Sequence, residues 1–169
     1  MGAIPNVLAG RYASGEMVEL WSAEHKIVLE RRLWIAVLRA QADLGVEVPA
    51  AVIEAYEAVV AEVDLDSIDE RDRLTRHDVK ARIDEFCALA GHEHFHIGMT
   101  SRDLTENVEQ LKIRAGLELV RNRTVATLAR LAGRATEFSQ QPVTGRSHNV
   151  AAQVSTLGKR FATAAEELL

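Results

Sequence analysis

The sequence predicts an all-α fold, and three features of the chain indicate it. Apolar residues recur at spacings of three and four over long segments, which is the periodicity of a helix with one buried face. Aromatic residues make up only 5% of the chain and there are three prolines, while good helix formers dominate. Helix-capping residues precede several of the periodic segments. We expect a small N-terminal helical domain at residues 1–100, followed at 101–169 by the first long helices of a helical bundle.

The first predicted helices follow an irregular segment at residues 1–13. Ser22 is a plausible N-cap for a helix that runs to about Leu44, where Gly45 ends it. Pro49 suits the first turn of a second helix over residues 49–63, and the acidic residues 64–72 are expected to form an exposed connector with at most one helical turn. The stripe expected to face the core in the first helix consists of Leu33, Val37, Ala40 and Leu44.

A third helix is predicted to follow Thr75-Arg76-His77-Asp78, which matches the capping-box pattern of a threonine followed three residues later by a carboxylate. His77 would then lie in the first turn of this helix, where unpaired N–H groups favour an anionic ligand. The helix is expected to end at Gly91, after an apolar stripe of Val79, Ile83, Phe86 and Ala90.

A much longer helix is predicted from Ser101 to Gln141, because this segment has no proline and keeps helical spacing throughout. Thr100 and Asp103 form a second capping-box pattern at its start. Such a helix would be on the order of 60 Å long. A small monomer cannot cover it, so the sequence predicts a long bundle shared between subunits.

Pro142 is expected to end the long helix and to be followed by a loop at Gly145–Asn149, which carries His148 between two helical segments. Helical spacing resumes near Ala151 and continues to Leu169 with no stop signal. We therefore expect these 169 residues to be the N-terminal part of a longer protein.

Charge and cysteine content exclude several classes of function. The net charge of −5 offers no general attraction to nucleic acid or to an anionic membrane. Cys87 is the only cysteine, which excludes an internal disulfide and a thiolate metal cage and favours a reducing, cytoplasmic setting. No apolar run approaches the length of a membrane span, and the N-terminus lacks the pattern of a signal peptide.

Polar residues with chemical potential cluster at predicted helix starts and in tight loops. The clusters are Arg11-Tyr12, Thr75 to Asp78, His96 to Ser101, and Arg146 to His148 with Gln153. Each also has a purely structural explanation. The cluster could be an exposed dipeptide, an N-cap, or a loop histidine that hydrogen-bonds a backbone carbonyl. His92, His94 and His96 alternate, but the flanking residues carry no strand signal, so we predict no metal site. Together the clusters suit acid–base chemistry on a small anion without a cofactor.

Four motifs in this order resemble the adenylosuccinate lyase family of the fumarase/aspartase superfamily. They are Gly10-Arg11-Tyr12-Ala13-Ser14, Thr75-Arg76-His77-Asp78-Val79, His96-Ile97-Gly98-Met99-Thr100-Ser101, and Gly145-Arg146-Ser147-His148 followed by Ala152-Gln153 and Leu157-Gly158-Lys159-Arg160. Any one of them is weak evidence, whereas four in collinear order are strong. The N-terminal domain would then carry nucleotide-binding motifs.

The resemblance implies a lyase of purine nucleotide biosynthesis that eliminates fumarate from adenylosuccinate, giving AMP, and from SAICAR, giving AICAR. It implies that the catalytic residues are His148, the general acid, and His77, which helps to bind and orient the substrate. The nucleotide would be held by Arg11, Tyr12, Arg76, Asp78, Thr100 and Ser101. His96 and Gln153 would line the pocket around the succinyl group and the phosphate.

The family needs no cofactor and builds each active site from several subunits of a homotetramer. Its catalytic base is a serine on a mobile glycine- and serine-rich loop, and nothing in these residues resembles that loop. Ser147, Asn149 and Ala151 depart from the residues that relatives often have. Two alternatives stay open: another lyase of the superfamily, acting on argininosuccinate, fumarate or aspartate, or a non-catalytic helical oligomerisation module.

Overall fold

The computed structural model describes residues 6–169, which form helices and one β-hairpin. This predominantly helical fold confirms the predicted class. The elements in chain order are α1 (Val7–Tyr12), α2 (Gly15–Leu20), α3 (Ala23–Asp43), α4 (Ala50–Ala58), α5 (Leu65–Thr75), α6 (Asp78–Ala90), α7 (Ser101–Glu137), β1 (Pro142–Ser147), β2 (Val150–Thr156) and α8 (Leu157–Glu166).

The chain divides into two compact units, one that ends at Gly116 and one that spans Leu117–Leu169. Helix α7 belongs to both, since the division falls within it. The domain boundary after residue 100 stays a prediction.

An aromatic core holds the first unit together. Trp34 lies between two phenylalanines, with ring centroids 4.7 Å from Phe95 and 6.4 Å from Phe86. Tyr56 packs against Phe86 at 4.9 Å, and Leu104 of α7 joins the same cluster. Each of these side chains is almost fully buried. Burial of a large apolar side chain stabilises a fold by about 1.5–3 kcal/mol, so this cluster contributes substantially to the stability of the unit.

Helix α3 begins as predicted, because the Ser22 hydroxyl accepts the N–H of His25 at 3.1 Å. The predicted core-facing stripe is only partly correct, however: Leu33 packs against the core, but the last member of the stripe, Leu44, is 86% exposed. The face that is buried runs one position away and includes Ile27, Trp34, Ile35 and Leu38 together with two charged residues. Because Glu30 and Arg31 are charged, the pattern of apolar residues alone does not indicate this buried face.

The segments around α4 and α5 also differ from prediction. Helix α4 ends at Ala58, several residues before the predicted end at 63. The acidic segment expected to be a connector is the three-turn helix α5, capped by the Asp64 carboxylate, which accepts the N–H of Ser67 at 3.0 Å. Ile68 anchors it, being only 7% exposed. One buried isoleucine among acidic residues was too sparse a pattern to indicate a helix.

The irregular segment predicted for residues 1–13 lies partly outside the described residues, namely at 1–5. From Val7 to Tyr12 the prediction is wrong, because this stretch forms α1. The Asn6 side chain caps the helix by accepting the N–H of Leu8 at 2.8 Å. Asparagine is among the best N-cap residues, which explains why a helix begins here.

The predicted long helix is present as α7, which has 37 residues and a length of about 55 Å. The N–H of Thr100 donates to the Asp103 carboxylate at 2.7 Å, which is one half of the predicted capping box. Beyond the first unit α7 exposes apolar side chains, among them Leu117, Val120 and Val125. Within residues 6–169 no helix combines the length and apolar character needed to cross a membrane.

The second unit corrects the predicted loop and helix after Pro142. Residues Pro142–Ser147 and Val150–Thr156 pair as an antiparallel hairpin, so the helix predicted from Ala151 begins only at Leu157. Helix α8 then packs closely on the end of α7 through Gly158. A Cβ on Gly158 would lie 2.3 Å from the Ala135 carbonyl oxygen, so this approach requires glycine.

Candidate functional site

The Arg76-His77-Asp78 motif forms the junction between α5 and α6. Thr75 is the last residue of α5, and its hydroxyl donates back to the carbonyl of Arg71 at 2.9 Å. Arg76 turns the chain in the left-handed conformation, with φ of 51°. The prediction that Thr75 caps the next helix is therefore wrong, because its hydroxyl is used by its own helix. The N-cap of α6 is His77, which precedes the first turn and does not lie within it.

The capping hydrogen bond selects one tautomer of the neutral His77 ring. Its Nδ1 accepts the N–H of Lys80 at 3.3 Å, so Nδ1 carries a lone pair and the proton of the neutral ring is on Nε2. The side chain is 53% exposed. The Asp78 carboxylate lies 3.8 Å from the same Nδ1, an ion pair that would require a protonated ring and loss of the cap. His77 therefore offers its Nε2–H to a ligand at the start of a helix.

Asp78 is held in place by a network of ion pairs with buried charged residues. Arg82 donates to the Asp78 carboxylate at 3.0 Å, and its Nε lies 2.6 Å from the buried carboxylate of Glu30. Burial raises the pKa of Asp78, but the hydrogen bond and charge of Arg82 outweigh it and hold the pKa below its usual range. Burial raises the pKa of Glu30, against the opposing charges of Arg82 and Lys26. Asp78 thus remains a fixed carboxylate beside His77.

The loop that carries His96 is tied to α3 by two side-chain hydrogen bonds. The indole N–H of Trp34 donates to Nδ1 of His96 at 3.0 Å, and the amide of Gln41 donates to the carbonyl of Ile97 at 2.9 Å. His96 has a left-handed backbone, with φ of 67°. Phe95, only 8% exposed, anchors the loop in the core.

The structure brings the His96 loop near the Arg76-His77-Asp78 junction within the first unit. Burial lowers the pKa of His96, the charge of Asp103 opposes this, and His77 is close enough to lower the pKa further. Thr100 and Ser101 lie at the start of α7, three residues or fewer before that same Asp103. His96 therefore lies within electrostatic range of both His77 and Asp103, while the roles assigned to the residues of this region stay predictions.

Arg11 and Tyr12 occupy the last turn of α1, a helix without a single buried residue. Tyr12 is 77% exposed. The first unit does not bury these two side chains against the other predicted site residues.

His148 lies at the tip of the hairpin in the second unit. His148 and Asn149 form its two-residue turn, and both have left-handed backbones, with φ of 48° and 62°. Such turns require positive φ at both positions, which Asn and His tolerate better than most residues. The Arg146 guanidinium closes the turn by donating to the carbonyl of Asn149 at 3.0 Å. His148 is thus exposed to solvent at the turn between two paired strands.

Gln153 lies on β2, exposed, beside an irregularity in the hairpin. Ala152 and Gln153 together face the single residue Gly145, which forms a β-bulge. A Cβ on Gly145 would lie 3.0 Å from the carbonyl oxygen of Gln153, so a larger residue would disturb the bulge. This bulge sets the orientation of the strand that leads to His148, and nothing in the sequence pattern indicated it.

The alternating histidines do not form the strand that a metal site would need. His92 and His94 lie in a loop with ring centroids 6.3 Å apart, and Nδ1 of His96 already accepts the indole N–H. Among residues 6–169, no three histidine, cysteine, aspartate or glutamate side chains are placed to hold a metal ion together.

Comparison with known proteins assigns the chain to a family. A family model described as lyase matches residues 13–169. The adenylosuccinate lyase of Saccharomyces cerevisiae is 34% identical over 171 residues, which cover 96% of this chain and 35% of that protein. That of Methanocaldococcus jannaschii is 31% identical over 163 residues, covering 94% and 35%. The chain thus spans about a third of the length of these curated relatives.

Solved structures share the fold. A fumarate lyase from Mesorhizobium sp. BNC1 superposes with a TM-score of 0.77 at 25% identity, covering 90% of this chain and 37% of that one. The β-carboxy-cis,cis-muconate cycloisomerase of Acinetobacter calcoaceticus gives 0.82 at 22% identity, covering 96% and 40%. Since the family model matches nearly the whole chain, the protein belongs to the lyase family, with its similarity to the N-terminal portion of adenylosuccinate lyases.

Proposed function

We propose that this chain contributes part of the active site of a lyase that eliminates fumarate from adenylosuccinate, giving AMP, and from SAICAR, giving AICAR. The observation that carries the proposal is the 34% identity to a curated adenylosuccinate lyase over 96% of the chain. The motifs of the resemblance also support it, because three of the four carry polar groups at a helix start, in a loop or in a turn.

In the proposed reaction a base removes a proton from the carbon next to a carboxylate, and the electron pair forms the double bond of fumarate. The carbon–nitrogen bond breaks, and an acid protonates the departing nitrogen. We assign the acid to His148, because an imidazole side chain is well suited to give and take a proton. A positioned acid of this kind contributes about 10²–10⁴-fold to the rate. The base is a serine that the resemblance assigns to a loop beyond these 169 residues.

We assign substrate binding to the polar groups around the start of α6 and the His96 loop. Adenylosuccinate carries a phosphate and two carboxylates, and a helix start favours such anions through its unpaired N–H groups. His77 would add its Nε2–H there, beside Arg76, while Asp78 would accept from a donor on the nucleotide. Thr100 and Ser101 would act in the same way at the start of α7.

Assembly as a homotetramer with shared active sites is part of the proposal. Leu117, Val120 and Val125 on α7 are each more than half exposed, and a helix with such side chains is stabilised by helical partners. A small-molecule substrate and a cytoplasmic location accord with this function. The reaction uses neither nucleic acid nor a membrane.

The test is an assay of the full-length protein that carries this chain, following AMP and fumarate release from adenylosuccinate. We expect release, and we expect His148→Asn to lower kcat by more than about 10²-fold while substrate still binds. Asparagine tolerates the left-handed backbone, so the hairpin is kept. Release of fumarate from argininosuccinate alone would favour another lyase of the superfamily. No lyase activity in a folded full-length protein would favour the oligomerisation module.

A further inference from the structure

Trp34 and His96 make a side-chain hydrogen bond between α3 and the loop before α7. Trp34 is 1% exposed and is packed between Phe86 and Phe95, so its indole has little freedom to move. Its Nε1–H points at Nδ1 of His96 across 3.0 Å, and the two rings meet nearly at right angles, at 85°.

This contact determines which nitrogen of His96 carries the proton. An indole N–H can only donate a hydrogen bond, so Nδ1 of His96 must present a lone pair. The proton of the neutral imidazole therefore lies on Nε2. Protonation of Nδ1 would bring two N–H groups together and leave the buried indole donor unsatisfied, which is unfavourable.

The surroundings of the ring favour the same neutral form. Burial opposes a charge on His96, and the nearby His77 opposes it further, whereas Asp103 at the start of α7 acts in the opposite direction. The net effect is a lowered pKa. His96 is accordingly neutral at physiological pH, with a single donor on Nε2.

The backbone around His96 is also held in place. Phe95 is buried immediately before it, and Gln41 of α3 donates to the carbonyl of Ile97 immediately after it. The ring thus has a defined orientation as well as a defined tautomer. A preoriented donor loses little freedom when it binds a ligand, and so contributes more to affinity.

We propose that Trp34 is a positioning residue that holds His96 as a neutral hydrogen-bond donor, through Nε2–H, for a carboxylate or phosphate oxygen of the substrate. The ligand part of this statement rests on the proposed function, whereas the tautomer does not. In this form His96 does not accept a proton at Nε2, because that nitrogen already carries one. Its contribution to the reaction is binding rather than proton transfer.

The tautomer can be measured on this chain by NMR with ¹⁵N-labelled histidine, following both ring nitrogens from pH 5 to 8. The His96 signals are assigned by their loss in His96→Gln. We expect Nδ1 to show the chemical shift of an unprotonated nitrogen and Nε2 that of a protonated one. The titration midpoint of His96 should lie below that of an ordinary histidine. The opposite tautomer or an ordinary midpoint in the unmodified chain would overturn the proposal without any variant.

Trp34→Phe removes the donor and keeps an aromatic ring. We expect mixed tautomers and a higher midpoint for His96, with the circular dichroism of a folded chain. Trp21→Phe, at the residue that follows α2, is the matched control and should leave the His96 signals unchanged. If Trp34→Phe gives folded protein with unaltered His96 signals, Trp34 has no positioning role. If Trp34→Phe unfolds the chain, the test of the proposal is the tautomer and titration midpoint of His96 in the unmodified chain.

The ligand part is tested by kinetics in the full-length protein. Glutamine can place an N–H near the position of histidine Nε2, whereas asparagine reaches only the position of Nδ1. We expect His96→Asn to raise KM by about tenfold or more with a smaller change in kcat, and His96→Gln to restore much of the loss. A loss confined to kcat, equal in both variants, would overturn the donor role. Absence of all activity in the unmodified protein would refute the proposed function but leave the tautomer result standing.

Discussion

Arg31 and Glu85 form a buried ion pair that joins α3 to α6, with 2.5 Å between Nη2 and Oε2. The other oxygen of Glu85 accepts the N–H of Asp64 at 3.2 Å, and the Arg31 guanidinium stacks on the ring of Phe86. Arg31 also donates to carbonyls just after α4, those of Val59, Val60 and Glu62. One pair of side chains therefore satisfies the backbone between α4 and α5, which positions α6 and its N-cap.

Glu85→Ala should lower the free energy of unfolding by about 3–5 kcal/mol, because it leaves a buried guanidinium without its carboxylate. Urea denaturation followed by circular dichroism measures this. Glu57→Ala is the matched control: it breaks an ion pair with Arg39 in which both side chains are substantially exposed, and should cost about 1 kcal/mol or less. An equal loss of unfolding free energy in the two variants would mean that the buried ion pair stabilises the fold no more than the exposed one.

His77 should have a structural role that can be separated from its proposed role in binding. His77→Ala removes the cap of α6 and should cost about 0.5–2 kcal/mol, whereas His77→Asn retains a capping oxygen and should cost much less. Thermal or urea denaturation of both variants checks this. In the full-length protein both should raise KM, since neither keeps the Nε2–H. Stability lost equally in both variants would show that the Nδ1 contact with Lys80 does not cap the helix.

Local signals account for the elements that could be predicted from the sequence. The Ser22 cap, the face of α6 and its end at Gly91 depend on residues within a few turns of one another. The hairpin was missed because Val150–Thr156 consists of small and polar residues without alternating large apolar ones. Its turn, His148-Asn149, also differs from the Asn-Gly sequence that most strongly indicates a two-residue hairpin.

The sequence could indicate the exposed polar residues of the candidate site, but it could not indicate the buried residues that hold them in place. His77 and His96 stand out as polar residues next to capping patterns. Trp34 and Glu30 lie on α3, dozens of residues earlier, and the sequence pattern assigned neither of them to the site. Only folding brings them to the site, and a single sequence carries no signal for such long-range pairs.

Gly158→Ala should destabilise the second unit by about 1–3 kcal/mol, because the new methyl group would overlap the Ala135 carbonyl at the end of α7. The N–H of Gly158, which donates to the carbonyl of Phe138 at 2.9 Å, would also be displaced. Gly133→Ala is the control, since that position in α7 has open space around it, and alanine should stabilise the helix by about 0.5–1 kcal/mol. Hydrogen exchange of α8 amides and denaturation would measure both. Two variants of similar stability would contradict the close approach.

Lys112 should make the stability of the chain depend on alkaline pH. Its side chain is 8% exposed and its ammonium lies 4.7 Å above the ring of Trp21, beside a cleft of about 270 Å³. Burial lowers the pKa of Lys112 from the ordinary 10.5, and Lys26 lowers it further, against the carboxylates of Glu30 and Glu109. Between the folded and unfolded pKa values the unfolded chain binds more protons, so stability rises with pH in that window. Below the folded pKa the cost of burying the charge is fully present.

Lys112→Met isolates this contribution, because methionine fills similar space over the Trp21 ring without titrating. Urea denaturation at pH values from 8 to about 10.5 gives the free energy of unfolding of both proteins. As the pH rises, this free energy should increase less, or decrease more, in the variant than in the unmodified chain. Other groups with shifted pKa values, such as Tyr56 and Cys87, are common to both proteins and cancel in the difference. Parallel stability curves would show that Lys112 keeps an ordinary pKa, and therefore that its ammonium remains fully hydrated in the cleft.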